Sequence, residues 1–307
     1  MLRALFVPAT FSLRMTTPRS PVPGPRAPIH IAHSPDPDDA FMFWALATGR
    51  IETGERRYVH ELADIETLNR RALAGDVDVT AVSFHAYAYL ASQYALLAHG
   101  ASLGDRYGPR LVSRTPPPAA PARRAALAGQ TVAVPGELTT AFLALRLYQP
   151  DARHVVVPFD QIEEAVIAGR VEVGLLIHEG QLTYADRGLH LWADLGEWWH
   201  GETGLPLPLG GNVVRRSLGA SLIRLVARDL KASIEYGLAH RTEALRHAQR
   251  YGRGLDDART DRFVSMYVND FTLDYGDTGR RAVAELLERA HRAGIIPGAV
   301  EVEFVSG

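Results

Sequence analysis

The stretch Val171-Glu-Val-Gly-Leu-Leu-Ile-His-Glu179 is an apolar run, rich in branched residues, that stops at an ionisable pair. Read as a strand, it buries Val173, Leu175, Leu176 and Ile177 and delivers the His178 imidazole at its carboxyl end. In an open α/β sheet the ligand crevice lies just beyond those ends, which makes His178 a candidate for chemistry. Histidine is also the side chain best matched to moving protons near neutral pH. The competing reading is a histidine that only hydrogen-bonds a neighbouring loop, and position alone favours it.

The segments around this run form an α/β pattern that occurs twice. Ahead of it, residues 129–134 read as a strand, Pro135-Gly-Glu-Leu-Thr-Thr140 as a turn and 141–148 as a helix. A strand over 154–158 and a helix over 162–168, closed by Gly169, complete that half. Nearer the N-terminus come a strand at 29–33, the turn Ser34-Pro-Asp-Pro-Asp-Asp39 and a helix over 40–48. These lead to a helix over 65–74, a strand over 77–83, a helix over 84–98 and a strand over 110–114. The Pro/Ala-rich segment 115–122 reads as a crossing between lobes, and 212–216 as a strand returning to the first. Helices are predicted over 218–239, 243–251, 257–268 and 279–293.

Two α/β halves, two crossings and a helical last third predict a two-lobed fold of the type II periplasmic-binding-protein-like kind. Such a fold closes on a small ligand between its lobes. The expected division is 29–114 plus 211–307 for the first lobe and 115–210 for the second. Residues 16–28, rich in Pro, Arg and Gly, cannot build a core, so 1–28 read as a disordered extension. Met15 offers a later start, and a degenerate signal peptide is the weaker alternative.

The chain has 307 residues, 47% hydrophobic and 22% charged, the composition of an ordinary globular protein. With 33 basic against 35 acidic residues the net charge is −2, which offers no electrostatic case for nucleic acid or an anionic membrane. There is no cysteine, so disulfides, thiolate nucleophiles and iron–sulfur sites are excluded. No apolar run reaches the length that spans a bilayer. None of the 12 histidines forms His-Glu-x-x-His, so zinc has no support. Gly-x-Gly-x-x-Gly after a strand, a P-loop lysine and Gly-x-Ser-x-Gly are also missing.

Three segments are expected to meet at the cleft. Ala81, Val82 and Ser83 close one strand and open a helix. Thr139, Thr140 and Ala141 stand at a second helix start, whose free N–H groups and hydroxyls suit a carboxylate. His178 is the third. The simpler fate of those hydroxyls is to cap their own helices. Asp36, Asp38 and Asp39 read most simply as caps in a favourable dipole field, and Trp198 and Trp199 either wall an aromatic ligand or pack the core.

With these segments in view, the chain resembles the menaquinone-biosynthesis family of the futalosine route over about 29–283. The resemblance is carried by Ser34-Pro-x-Pro-x-Asp39 with Phe41-x-Phe43, Asp64-Ile-Glu-Thr-Leu-Asn69, Ser83-x-x-Ala-Tyr87 and Val132-Ala-Val-Pro-Gly136. Further motifs are Thr139-Thr-Ala141, Ile177-His-Glu179 with Thr183-Tyr184, Asp194-Leu-Gly-x-Trp-Trp199, Thr203-Gly-Leu-Pro-Leu-Pro-Leu-Gly210 and Tyr267-Val-Asn269. The tract ending at Gly210 is similar to the branch that makes a naphthoate rather than the branch that dehydrates chorismate. The resemblance implies a cytoplasmic lyase without metal or redox cofactor, acting on a small carboxylate, cyclic dehypoxanthinylfutalosine, to yield 1,4-dihydroxy-6-naphthoate. It implies that His178 is the base and that Ala81-Val-Ser83 and Thr140-Ala141 bind substrate. Asp36 and Asp38 stand where the family's turn usually has Cys and Asn, which makes that wall more acidic. The alternatives are a chorismate dehydratase of the same family and a non-catalytic solute-binding protein.

Overall fold

Val173–Leu176 is fully buried in the middle of a five-stranded sheet, where an unbroken apolar run belongs. The structure, a computed structural model, describes residues 27–252 and 254–307. The extension expected over 1–28 lies outside these residues, apart from its last two.

The first lobe opens with β1 (Ile29–His33), α1 (Pro37–Ala47), β2 (Tyr58–Leu62), α2 (Ile65–Ala74), β3 (Val79–Ser83), α3 (Phe84–Leu90), β4 (Tyr94–Leu97) and β5 (Ser102–Gly104). The second carries β6 (Arg110–Ser113), α4 (Ala120–Ala126), β7 (Thr131–Val134), α5 (Thr140–Tyr148) and β8 (Arg153–Val156). It continues through α6 (Ile162–Ile167), β9 (Val173–Leu176), α7 (Gly180–Thr183), β10 (His190–Asp194) and α8 (Leu195–Thr203). The chain returns in β11 (Leu207–Arg215) to α9 (Ala220–Ala239), α10 (Arg241–Ala248), α11 (Asp257–Tyr267), α12 (Asp270–Leu273), α13 (Gly276–Arg292) and β12 (Phe304–Val305).

Both sheets follow one plan. The first reads β2-β1-β3-β11-β4 and the second β8-β7-β9-β6-β10, with β12 added beside β4 and β5 beside β11. In each, three strands run parallel and the fourth, delivered by a crossing, runs antiparallel to its neighbours. This is the two-lobed α/β arrangement of periplasmic binding proteins.

The crossings lie earlier in the chain than the sequence suggests. Arg110–Ser113, expected in the first lobe, is paired with β9 and β10 in the second sheet. Residues 207–210, expected in the second lobe, already belong to β11 and pair with β5 and β3. The Pro/Ala-rich segment 115–122 therefore lies within the second lobe. The first crossing passes Tyr107 and Gly108, whose backbone lies so close to Gly196 that a side chain there would collide with it.

The helix expected over 84–98 ends at Leu90, and Tyr94–Leu97 is a buried strand paired on both sides, with β11 and β12. A short apolar run fits a strand or a buried helix equally well until its neighbours are known. By contrast α2 has the bounds its sequence implies. Asp64 accepts from the N–H of Glu66 and Thr67 at its start, and Gly75 ends it at φ 70°.

One apolar core runs through both lobes, joining Phe84, Tyr87, Leu103 and Leu286 to Val132, Leu143, Leu175 and Trp199. Trp199 is fully buried, which settles the reading of that tryptophan in favour of the core. A second core clamps α1 between the first sheet and α9 through Phe41, Met42, Trp44, Val226, Leu230 and Ile234. Each such side chain contributes roughly 2 kcal/mol by leaving water. Buried Asp229 fastens α9 to the edge of that sheet, taking both fork nitrogens of Arg56 at 2.6 and 2.9 Å and the Tyr58 hydroxyl at 2.7 Å. Among the described residues no helix is long and apolar enough to cross a membrane.

Candidate active site

The ends of β1, β3, β7 and β9 converge on one cleft between the lobes. Ala81, Val82, Ser83, Thr139, Thr140, Ala141 and His178 all line it. So do Asp36 and Asp38, expected there only as a more acidic wall, and Ser34, Asp39, Ser102, Gln181, Phe263 and Tyr267. Trp198 and Trp199 are not among the lining residues. None of the residues lining it is Lys or Arg.

His178 sits where β9 must stop. Its φ of 55° is left-handed, a conformation histidine tolerates better than a branched residue, and it turns the chain from the sheet into α7. The ring is fixed on two sides. Phe159 meets it edge-on at 5.0 Å between centroids, and its Nδ1 lies 2.9 Å from Asp36 Oδ2. The Asp36 side chain is only 2% exposed.

The pairing overturns the capping reading of Asp36. It occupies the N-cap position of α1, with Pro37 following, but its side chain makes no cap hydrogen bond. Its Oδ2 accepts from the Ser34 hydroxyl and from His178 instead, while the Asp36 N–H donates back to Ser34 Oγ at 3.1 Å. Asp39 accepts from the Ser34 N–H at 2.8 Å, and Asp38 from the Ser102 hydroxyl at 3.3 Å. Buried His33, neutral because burial holds it down at about 3, faces the Ser34 carbonyl at 2.9 Å and supports the same turn.

The charges here act on one another. Burial pulls the His178 imidazole down, but the Asp36 carboxylate, its hydrogen bond and the charges of Glu179 and Asp38 raise it to about 9. Burial, then the charge of Asp36, pushes Asp38 up to about 6 against the opposing pull of His178. Burial and the charge of Asp38 hold Asp39 well above the usual carboxylate range. Tyr267, whose hydroxyl lies 2.7 Å from the Gln181 amide, is kept neutral by burial.

The opposite part of the cleft carries no charge. Asn69, fully buried, grips Ser83 at both ends: its Oδ1 accepts from the Ser83 N–H at 2.9 Å and its Nδ2 donates to Oγ at 3.2 Å. That leaves the Ser83 hydroxyl proton for a ligand. The threonine hydroxyls expected to bind an anion are spent inside the protein. Thr139 Oγ1 caps α5, accepting from the Phe142 N–H at 3.1 Å and donating to the Gly136 carbonyl at 2.8 Å. Thr140 Oγ1 accepts from the Phe84 N–H at 2.8 Å and donates to the Leu209 carbonyl at 2.5 Å, tying the lobes together. What α5 can still offer an anion is the N–H groups of Thr140 and Ala141, which have no acceptor within the helix. Gly136 has its place because the Glu66 carboxyl fills the space of a side chain, receiving the Leu138 N–H at 3.3 Å. Among the described residues no three His, Asp or Glu side chains gather to hold a metal ion.

A buried histidine–aspartate pair facing amide and hydroxyl donors in one cleft can take a proton from an anchored anion. A model of a family described as menaquinone biosynthesis matches residues 29–292. The chain belongs to the menaquinone biosynthesis family. Two relatives are named 1,4-dihydroxy-6-naphthoate synthase. That of Thermus thermophilus is 42% identical over 267 residues, covering 87% of this chain and 95% of its own. That of Streptomyces coelicolor is 40% identical over 279 residues, covering 88% and 95%. A solved protein from Archaeoglobus fulgidus superposes with a TM-score of 0.82 at 44% identity, over 87% of this chain and 98% of its own. The alkanesulfonate-binding protein of Xanthomonas axonopodis, solved with MOPS, shares the fold at a TM-score of 0.66 and 12% identity, over 90% and 96%.

Proposed function

We propose that this family member cleaves cyclic dehypoxanthinylfutalosine to 1,4-dihydroxy-6-naphthoate, as a carbon–carbon lyase working in the cytoplasm. The names of the two bacterial relatives support the product. The observation that carries the chemistry is His178 in the cleft wall, its Nδ1 held by Asp36 at 2.9 Å. With Nδ1 committed, Nε2 is the nitrogen left to act on a substrate.

The substrate carboxylate takes the Ser83 hydroxyl and the first N–H groups of α5. In its neutral form His178 removes the proton on the carbon beside the ketone. The electron pair left behind expels the ring oxygen and opens the sugar-derived ring. Breaking of the carbon–carbon bond to the sugar-derived part then releases that part as the second product, and aromatisation pulls the reaction forward. A neutral donor set at the carboxylate and acidic side chains near the base suit this division, because the carboxylate avoids Asp36 and Asp38.

Incubating purified protein separately with cyclic dehypoxanthinylfutalosine and with chorismate, with products followed by mass spectrometry, tests the reading. Dihydroxynaphthoate from the first supports it. Turnover of chorismate alone would replace it with the dehydratase.

A further inference from the structure

We infer that Asp36 is the positioning residue of His178, so that the base of this chain is a histidine–aspartate dyad assembled across the two lobes. The inference rests on His178 being the base of the proposed reaction and adds what makes it one. Asp36 comes from the turn after β1 and His178 from the end of β9, yet they meet at 2.9 Å with Asp36 only 2% exposed. The carboxylate is itself aimed, because the Ser34 hydroxyl shares its Oδ2 and the Asp36 N–H is bonded to Ser34 Oγ. Phe159 blocks the imidazole from tilting away, at 5.0 Å between centroids. A capping role would have left this carboxylate on the N–H groups of α1, and it makes no such bond.

The chemistry follows from the geometry. Asp36 accepts the Nδ1–H, which selects the tautomer whose Nε2 carries the lone pair. The substrate proton moves from carbon to Nε2, and Asp36 stays ionised beside the imidazolium it stabilises. The groups facing His178 are Asp36, Asp38 and Asp39 from the start of α1, Glu179 beside it, and the neutral Tyr267 from α11. All the charged ones favour the protonated ring, so a stronger base comes with a smaller share of base form at neutral pH. Reaction through the neutral imidazole therefore speeds up as pH rises toward about 9.

The test is NMR titration of histidine-labelled full-length protein, with His178 assigned by its absence in H178Q, beside kinetics of D36N. Wild-type His178 should titrate at about 9, and in D36N at or below the ordinary 6.5. At pH 8.5, kcat/KM of D36N should fall roughly 100-fold with KM within about threefold, the gap narrowing toward pH 6. A merely structural role would lower activity equally at every pH. Wild-type titration at 6.5 or lower, or one unmoved by D36N, would overturn the inference even if D36N folds poorly. Absence of turnover in wild type would instead remove the proposed reaction, while the titration still decides the pairing.

Discussion

The two lobes share one topology and use it for opposite electrostatics. In the first, β1 feeds an acidic turn over 34–39 and β3 ends in Ser83; in the second, β7 feeds a turn ending in two threonines and β9 ends in His178. Each β1- or β7-type turn reaches across the cleft to the β9- or β3-type strand end of the other lobe. One of these equivalent contacts is Asp36 with His178 at 2.9 Å; the other is Thr140 Oγ1 with the Phe84 N–H at 2.8 Å. The charged contact joins an imidazole to a carboxylate, and the neutral one ties the lobes while leaving the first amides of α5 without an acceptor in the helix. Under the proposed reaction, this repeated scaffold would hold the substrate carboxylate away from the carboxylates around His178. The continuous core through both lobes holds the two contacts in register.

Changing the neutral contact should cost the most stability. Thr140→Val removes the acceptor of the Phe84 N–H and the donor to the Leu209 carbonyl. Chemical denaturation should show a loss of about 2 kcal/mol; a loss under about 0.5 kcal/mol would mean that the lobes are not tied there. Ser83→Ala sharpens the same side for binding. KM should rise about tenfold with kcat nearly unchanged, since a hydrogen bond to a charged group is lost equally in ground and transition states. A fall in kcat alone would place Ser83 with the chemistry instead.

On stability the charged side gives a smaller effect, of the opposite sign. Asp38 is raised to about 6 in the folded protein, from an ordinary 3.8, so its ionised form costs stability above pH 6 and the cost fades as pH falls through that value. Asp38→Asn should therefore stabilise the protein by about 1 kcal/mol at pH 8 and by less at pH 5, read as melting temperature. A destabilised variant at pH 8 would show that Asp38 holds its neighbours more than it strains them.

Much of this was legible in the chain because it depends on local pattern. The buried run before His178, the Asp64 and Gly75 ends of α2 and the hydroxyls at two helix starts are each read within a few residues. Ala81 to Ser83, Thr139 to Ala141 and His178 do line one cleft. What was missed depends on partners far along the chain. Asp36 beside Pro37 has every local mark of a cap, and only the folded protein sets the end of β9 against it. Tyr94–Leu97 reads as more helix until β11 and β12 supply a sheet on both sides. Thr140 looks like an anion ligand until the Phe84 N–H is found on its hydroxyl.

The proposed reaction stands or falls on whether the imidazole at the end of β9 takes the substrate proton. The measurement that tests it most directly is kcat/KM of wild type and His178→Ala on cyclic dehypoxanthinylfutalosine at one pH, with fold checked by circular dichroism. Proton removal by His178 predicts a fall of at least about 1,000-fold with the fold retained. A folded His178→Ala protein within about tenfold of wild type would contradict it.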